Sequence, residues 1–179
     1  MPADSIVLLG NSGAGKDTTY AALDVANPTK YYNAKFALLS KTITAKVFNL
    51  EVRELEDKEL RAKPSKTYAG LSAIDLLTVL YKGITPSLEQ AHVHFLLSII
   101  PDGKIPVFTD IRREHELMAV LKNYSHTVII KLESDTAPEG ENDGDISSLY
   151  PDYIIERDTQ HPYTPEMIAA LVEKLANEF

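Results

Sequence analysis

The sequence predicts an α/β fold, a parallel five-stranded sheet with helices on both faces. Three observations carry that reading. Short aliphatic runs such as "IVLL" and the "VII" within "HTVIIKL" read as strands buried on both faces. Stretches of helical period separate these runs, so neighbouring strands are joined by crossovers rather than hairpins. The first run closes on glycine and is followed by a glycine-rich, lysine-containing loop, "GNSGAGKDTT".

In chain order, Ile6 to Leu9 is the first strand and a helix follows over 16–25. "NPTK" is a turn, and "TKYYNAKF" holds the second strand. From Phe36 the period changes: Phe36, Leu39, Ile43 and Val47 fall on one helical face. "LEVRELEDKELRAKPSK" predicts one short charged helix ending near Pro64. Two further helices are expected over 72–82 and 87–100, the first started by Ser72 and the second by Thr85 before Pro86. "IPVFTD" and "HTVIIKL" are the third and fourth strands, with a helix over 113–123 between them. The acidic, turn-rich segment 133–148 reads as a loop or lid, and "DYIIE" as the last strand. The final helix has Thr164 as cap, Pro165 in its first turn, and Ile168, Leu171, Val172 and Leu175 on one face. The whole is one domain of 179 residues with an insertion at about 37–100.

Composition bounds the function. A formal charge of −8 gives no basic footprint for a nucleic-acid polymer. No apolar stretch approaches the ~20 residues of a membrane span, and the first residues lack the basic region of a signal peptide. The absence of cysteine excludes disulfides and cysteine chemistry and fits a cytoplasmic location.

Gly10, Gly15 and Lys16 match G-x-x-x-x-G-K between a strand and a helix. In that setting the backbone N–H groups of Gly10, Asn11, Ser12, Gly13, Ala14 and Gly15 curl around a phosphate chain, and Lys16 adds a full cation. Asp17 stands where Ser or Thr is usual. It either reaches a metal through water or caps the helix, which leaves Thr18 as the hydroxyl for phosphate or Mg2+. Asp110 and Arg112 follow the third strand at the sheet edge where α/β proteins bind ligands. Asp110 can hold Mg2+ and Arg112 a phosphate; alternatively Asp110 caps the next helix and Arg112 pairs with Glu116.

Taken together, "GNSGAGKDTT", "FALLSKTITAKVFNLEVRELEDKEL", "VFTDIRREHE" and "DGDISSLYPDYIIERDTQHPYTPEMIAALVEKL" resemble, in order, the deoxynucleoside monophosphate kinases of bacteriophages, relatives of adenylate kinase. The resemblance implies a three-layer P-loop core with a helical monophosphate-binding insertion and a short lid. It implies transfer of the ATP γ-phosphoryl group to a (deoxy)nucleoside monophosphate with Mg2+, in the host cytoplasm. Lys16, Asp110 and Arg112 would then be catalytic. Lys41 looks like the counterpart of the arginine that holds the acceptor phosphate, with Lys35 as a competing candidate. Asp17, Thr18 and Asp110 would serve the metal, and Arg157 the phosphates or the adenine. The segment 133–148 departs from the pattern, having carboxylates where lids carry arginines. Its partners would be small-molecule nucleotides, and a homodimer is compatible with the sequence. Two other readings stay open: a P-loop kinase of another small metabolite, and a non-catalytic ATP-binding module. A guanine-specific switch is disfavoured, because "VIIKLESD" does not supply N-K-x-D.

Overall fold

A computed structural model describes residues 2–135, 150–157 and 163–178, with the side chains of 81–90 and of Arg157 outside the description. Five parallel strands form one sheet: β1 (Ser5–Leu9), β2 (Tyr31–Ala34), β3 (Ile105–Phe108), β4 (Thr127–Ser134) and β5 (Tyr153–Arg157). Their spatial order is β2-β3-β1-β4-β5. β1 is therefore central, paired with β3 through Ile6↔Val107 and Val7↔Phe108 and with β4 from Ser5↔Thr127 to Leu9↔Lys131. The predicted lid begins later than expected, because Glu133 and Ser134 belong to β4; its positions 136–148 lie outside the described residues.

The chain divides into two compact units. The first comprises Met1–Lys35 and Ile99–Phe179, and the second Phe36–Ser98. In the first unit, side-chain alternation along the central strands explains the layers. Ile6 and Leu8 join Val107, Val128, Ile130 and Leu132 in one core. That face is covered by Leu23 of α1 (Lys16–Ala26) and by Ile168, Ala169 and Val172 of α7 (Pro165–Glu178). Val7, Phe108 and Ile129 are in register on the other face and are also buried. There Tyr124, at the end of α6 (Glu114–Asn123), meets Phe108 edge-on with ring centroids 6.1 Å apart. Each such fully buried aliphatic side chain contributes about 1.5–3 kcal/mol. Ser5 and Thr127 are the polar exceptions inside the sheet, and their hydroxyls satisfy each other at 2.7 Å.

The second unit is helical and departs from the sequence expectation in three places. In α2 (Ala37–Val47) the buried positions after Phe36 are Ser40, Thr44 and Ala45, whereas Val47 is 61% exposed. Small polar residues can occupy this face because their hydroxyls are bonded: Ser40 to the His92 ring at 2.7 Å, Thr44 to the Ser40 carbonyl at 2.8 Å. The charged run forms two short helices, α3 (Val52–Glu56) and α4 (Lys58–Ala62). Asp57 divides them by leaving helical geometry and accepting the N–H groups of Glu59 and Leu60. One helix, α5 (Ala73–Ile99), replaces the two expected over 72–100. Pro86 forgoes one hydrogen bond at about 3 kcal/mol, which the remaining ladder of a 27-residue helix absorbs. The start signal at Ser72 is present as read: the Ser72 N–H donates to Asp75 Oδ2 at 2.9 Å and the Asp75 N–H to Ser72 Oγ at 3.3 Å. No helix among the described residues is long and apolar enough to cross a membrane.

Candidate phosphate-binding site

All five strands point their C-terminal ends to one edge, and the chain leaves β1 there through the glycine-rich loop. Gly10, Gly13 and Gly15 adopt φ of 135°, 93° and 96°, a region that side chains disfavour. Gly10 has a second reason to be glycine: a Cβ there would lie 2.3 Å from the Leu132 carbonyl oxygen of β4. The Ala14 N–H closes the turn onto the Asn11 carbonyl at 3.0 Å, and Ala14 is buried. Gly15 is the N-cap of α1 and has no side chain to satisfy the first N–H groups of the helix. The positive end of the helix dipole faces the loop, which suits an anion.

The Lys16 side chain folds back over this turn. Its ammonium donates to the Gly10 carbonyl and, at 3.0 Å, to the Asn11 carbonyl. The cation is thus stationed at the mouth of the loop. Ser12, Gly13 and Thr18 are exposed, so the loop's outer rim is open to solvent.

Asp17 lies beside the loop in a small polar cluster. The Lys35 ammonium, just past β2, is 2.9 Å from Asp17 Oδ1. Thr109 Oγ1, just past β3, is 3.2 Å from the same oxygen and 3.3 Å from Asn33 Oδ1. Partial burial alone would raise the Asp17 pKa, but Lys35, the Thr109 hydroxyl and the Lys16 charge outweigh it and hold the carboxyl below its ordinary range. Asp17 is accordingly an anion at neutral pH.

Downstream, Glu116 of α6 organises the Asp110–Arg112 segment. Its carboxylate accepts the backbone N–H of Arg112 at 2.8 Å and of Arg113 at 3.2 Å. Burial and the nearby Asp110 charge push the Glu116 pKa up, against the two backbone hydrogen bonds and His115. The Arg112–Glu116 contact, the alternative reading of this segment, is made by the Arg112 main-chain N–H, and the Arg112 side chain is exposed.

Lys16, Asp17, Lys35, Asp110 and Arg112 thus belong to one unit and to one edge of its sheet. Lys41 belongs to the second unit, where its ammonium lies 3.6 Å from Glu56. Arg157 is the last residue of β5 rather than beyond it, and its side chain lies outside the description. Glu116 was read only as a partner for Arg112, and Thr109 and Asn33 were not singled out in the sequence. Their signal was position: a buried threonine directly after an apolar strand, and an asparagine near the end of another.

For Mg2+ the edge offers oxygen donors of the right kind, the Asp110 carboxylate and the Thr18 hydroxyl, with Asp17 alongside. Mg2+ is ordinarily held by one or two carboxylates together with substrate phosphates, so this set fits. No cluster of three acidic, histidine or cysteine side chains suited to hold a metal by itself occurs among the described residues.

No protein-family model matches the chain, and no curated protein matches it at a significant level. Among solved structures, an APS kinase from Mycobacterium tuberculosis superposes with a TM-score of 0.48 at 13% identity, over 98% of each chain. A Chloroflexus aurantiacus protein provisionally designated a kinase gives a TM-score of 0.43 at 9% identity, over 98% of this chain and 97% of the other. Both likenesses are weak, and the functional reading rests on the residues of this chain: an α/β unit whose central strand opens into a glycine-rich, lysine-bearing turn.

Proposed function

We propose that the protein is an ATP-dependent kinase that transfers the γ-phosphoryl group to a (deoxy)nucleoside monophosphate, giving the diphosphate. The observation that carries this reading is the loop from Gly10 to Lys16, whose glycines adopt positive φ and whose lysine is already folded over the turn. The loop amides and the start of α1 receive the donor's phosphate chain. Lys16 exchanges the two carbonyls it now holds for phosphate oxygens.

Transfer between two phosphates needs positioning and charge neutralisation more than covalent help. The acceptor oxygen is already anionic, so no strong general base is required. Arg112 and Lys35 supply cations for the phosphates, and Lys41 is the candidate acceptor cation of the helical unit. The second unit, Phe36–Ser98, is the acceptor-binding insertion of this reading; the lid-like loop expected at 133–148 lies largely outside the described residues. Thr18 and Asp110 would hold Mg2+, which would offset the negative charge of the phosphates. The partners are small-molecule nucleotides, and the activity belongs in the cytoplasm.

A coupled ADP-release assay over a panel of ribo- and deoxynucleoside monophosphates, with non-nucleotide acceptors alongside, tests the reading. Turnover with at least one monophosphate is expected. Turnover confined to a non-nucleotide acceptor would assign the protein to another kinase class. ATP binding without acceptor-stimulated turnover would make it a binding module.

A further inference from the structure

We infer that Asp17 is a positioning residue that presents the Lys35 ammonium to the acceptor's phosphate, and that Lys35 is the principal acceptor cation of the first unit. This inference rests on the kinase reading above and deepens it.

Asp17 occupies a helix position where a hydroxyl residue is usual, so its carboxylate requires an explanation. Its oxygen Oδ1 is committed on two sides, to Lys35 at 2.9 Å and to the Thr109 hydroxyl at 3.2 Å. Thr109 is 3% exposed, and its one hydroxyl proton is shared between Asp17 Oδ1 and Asn33 Oδ1, the latter at 3.3 Å. The C-terminal ends of β2 and β3 and the first turn of α1 are therefore tied through one oxygen atom. Such bracing fixes the direction of the carboxylate and, through it, the direction of a long and otherwise freely rotating lysine stem.

The strength of the pair suits presentation rather than sequestration. The Asp17 side chain is 71% exposed, and an ion pair this wet is weak. Lysine has three donors and Asp17 engages one, leaving N–H groups of Lys35 for a phosphate. Lys35 lies on the same unit as the loop, and its ammonium is held at the sheet edge where the loop opens. Ordering the stem before the ligand arrives reduces the conformational entropy lost on binding.

A double-mutant cycle tests this: Lys35→Ala, Asp17→Asn and the double variant, with Lys35→Arg as a rescue. Steady-state KM and kcat are measured for the best monophosphate and for ATP. Lys35→Ala is expected to raise the monophosphate KM at least tenfold while the ATP KM changes less than threefold. Lys35→Arg should recover most of that loss. Asp17→Asn should raise the monophosphate KM about threefold, and should add nothing once Lys35 is Ala. Calorimetric titration of the monophosphate without ATP should show the same order of affinities. The inference is overturned if Lys35→Ala leaves the monophosphate KM unchanged. It is also overturned if the two substitutions multiply independently, or if Asp17→Asn weakens only Mg-ATP. Wild-type protein that phosphorylates no monophosphate would overturn both the kinase reading and this inference, an outcome distinct from active wild type with an indifferent Lys35.

Discussion

Gly10 is the most constrained residue of the site, since both its φ of 135° and the approach of the Leu132 carbonyl forbid a side chain. Gly10→Ala should cost at least about 1–3 kcal/mol from backbone strain alone, read as a lowered urea midpoint, and should weaken nucleotide binding because the loop must shift. Lys16 is held by hydrogen bonds to two carbonyls rather than by packing, so its loss should be functional instead. Lys16→Ala should lower kcat/KM about 100-fold or more, roughly 3 kcal/mol of barrier, with the urea midpoint nearly unchanged; a near-normal rate would remove Lys16 from the mechanism. These two residues were legible because the motif is local: strand, glycines, lysine and helix follow one another within twelve positions. Thr109 and Asn33 were not, because their partnership with Asp17 is created by strand order. Residues that are 76 and 92 positions apart meet only once β2, β3 and β1 lie side by side.

Among the elements, α7 is latched to the start of β2 by polar contacts at the edge of an otherwise apolar interface. Glu173 accepts the Lys30 ammonium at 2.8 Å and the Asn27 amide at 3.1 and 3.2 Å. The Lys30 hydrogen bond is the main cause that holds the Glu173 carboxyl below its usual 4.5. A depressed carboxyl stabilises the fold above its unfolded pKa and loses that contribution as pH falls through the folded value. Glu173→Gln should therefore cost about 1 kcal/mol near neutrality, and its difference from wild type should narrow as the pH drops below 4.5; urea midpoints along a pH series measure this. In α5, Ser72→Ala should cost about 1 kcal/mol by removing an N-cap, seen in the same denaturation assay. That cap was legible from the serine alone; its partner Asp75 was not read. The unbroken course of α5 was not, because the threonine and proline at 85–86 are a start signal locally and a tolerated interruption within a long helix. Asp57 misled in the opposite sense: inside a charged run it looks helical, yet its carboxylate caps the next turn and ends the previous one.

At the scale of the molecule, the inner strands were legible because strands buried on both faces are nearly continuously apolar, as in "IVLL", "PVF" and "VII", whereas the edge strands "YYNA" and "YIIER" carry that mark only in part. The order β2-β3-β1-β4-β5 could not be read, since pairing is decided by which crossovers pack and not by the strands' own composition. That order makes β1 central and gathers one edge of cations and carboxylates on a chain whose formal charge is −8. A ligand bound there only in the folded state should stabilise the whole first unit. Mg-ATP at about 100 times its Kd should add ~2.7 kcal/mol, or about 5–10 °C in Tm. The most direct measurement is calorimetric titration of Mg-ATP into wild type and Lys16→Ala. Saturable one-to-one binding that weakens at least tenfold in the variant is the predicted result. No saturable heat in wild type, or equal affinity in the variant, would contradict the claim that the turn after β1 holds the nucleotide's phosphates.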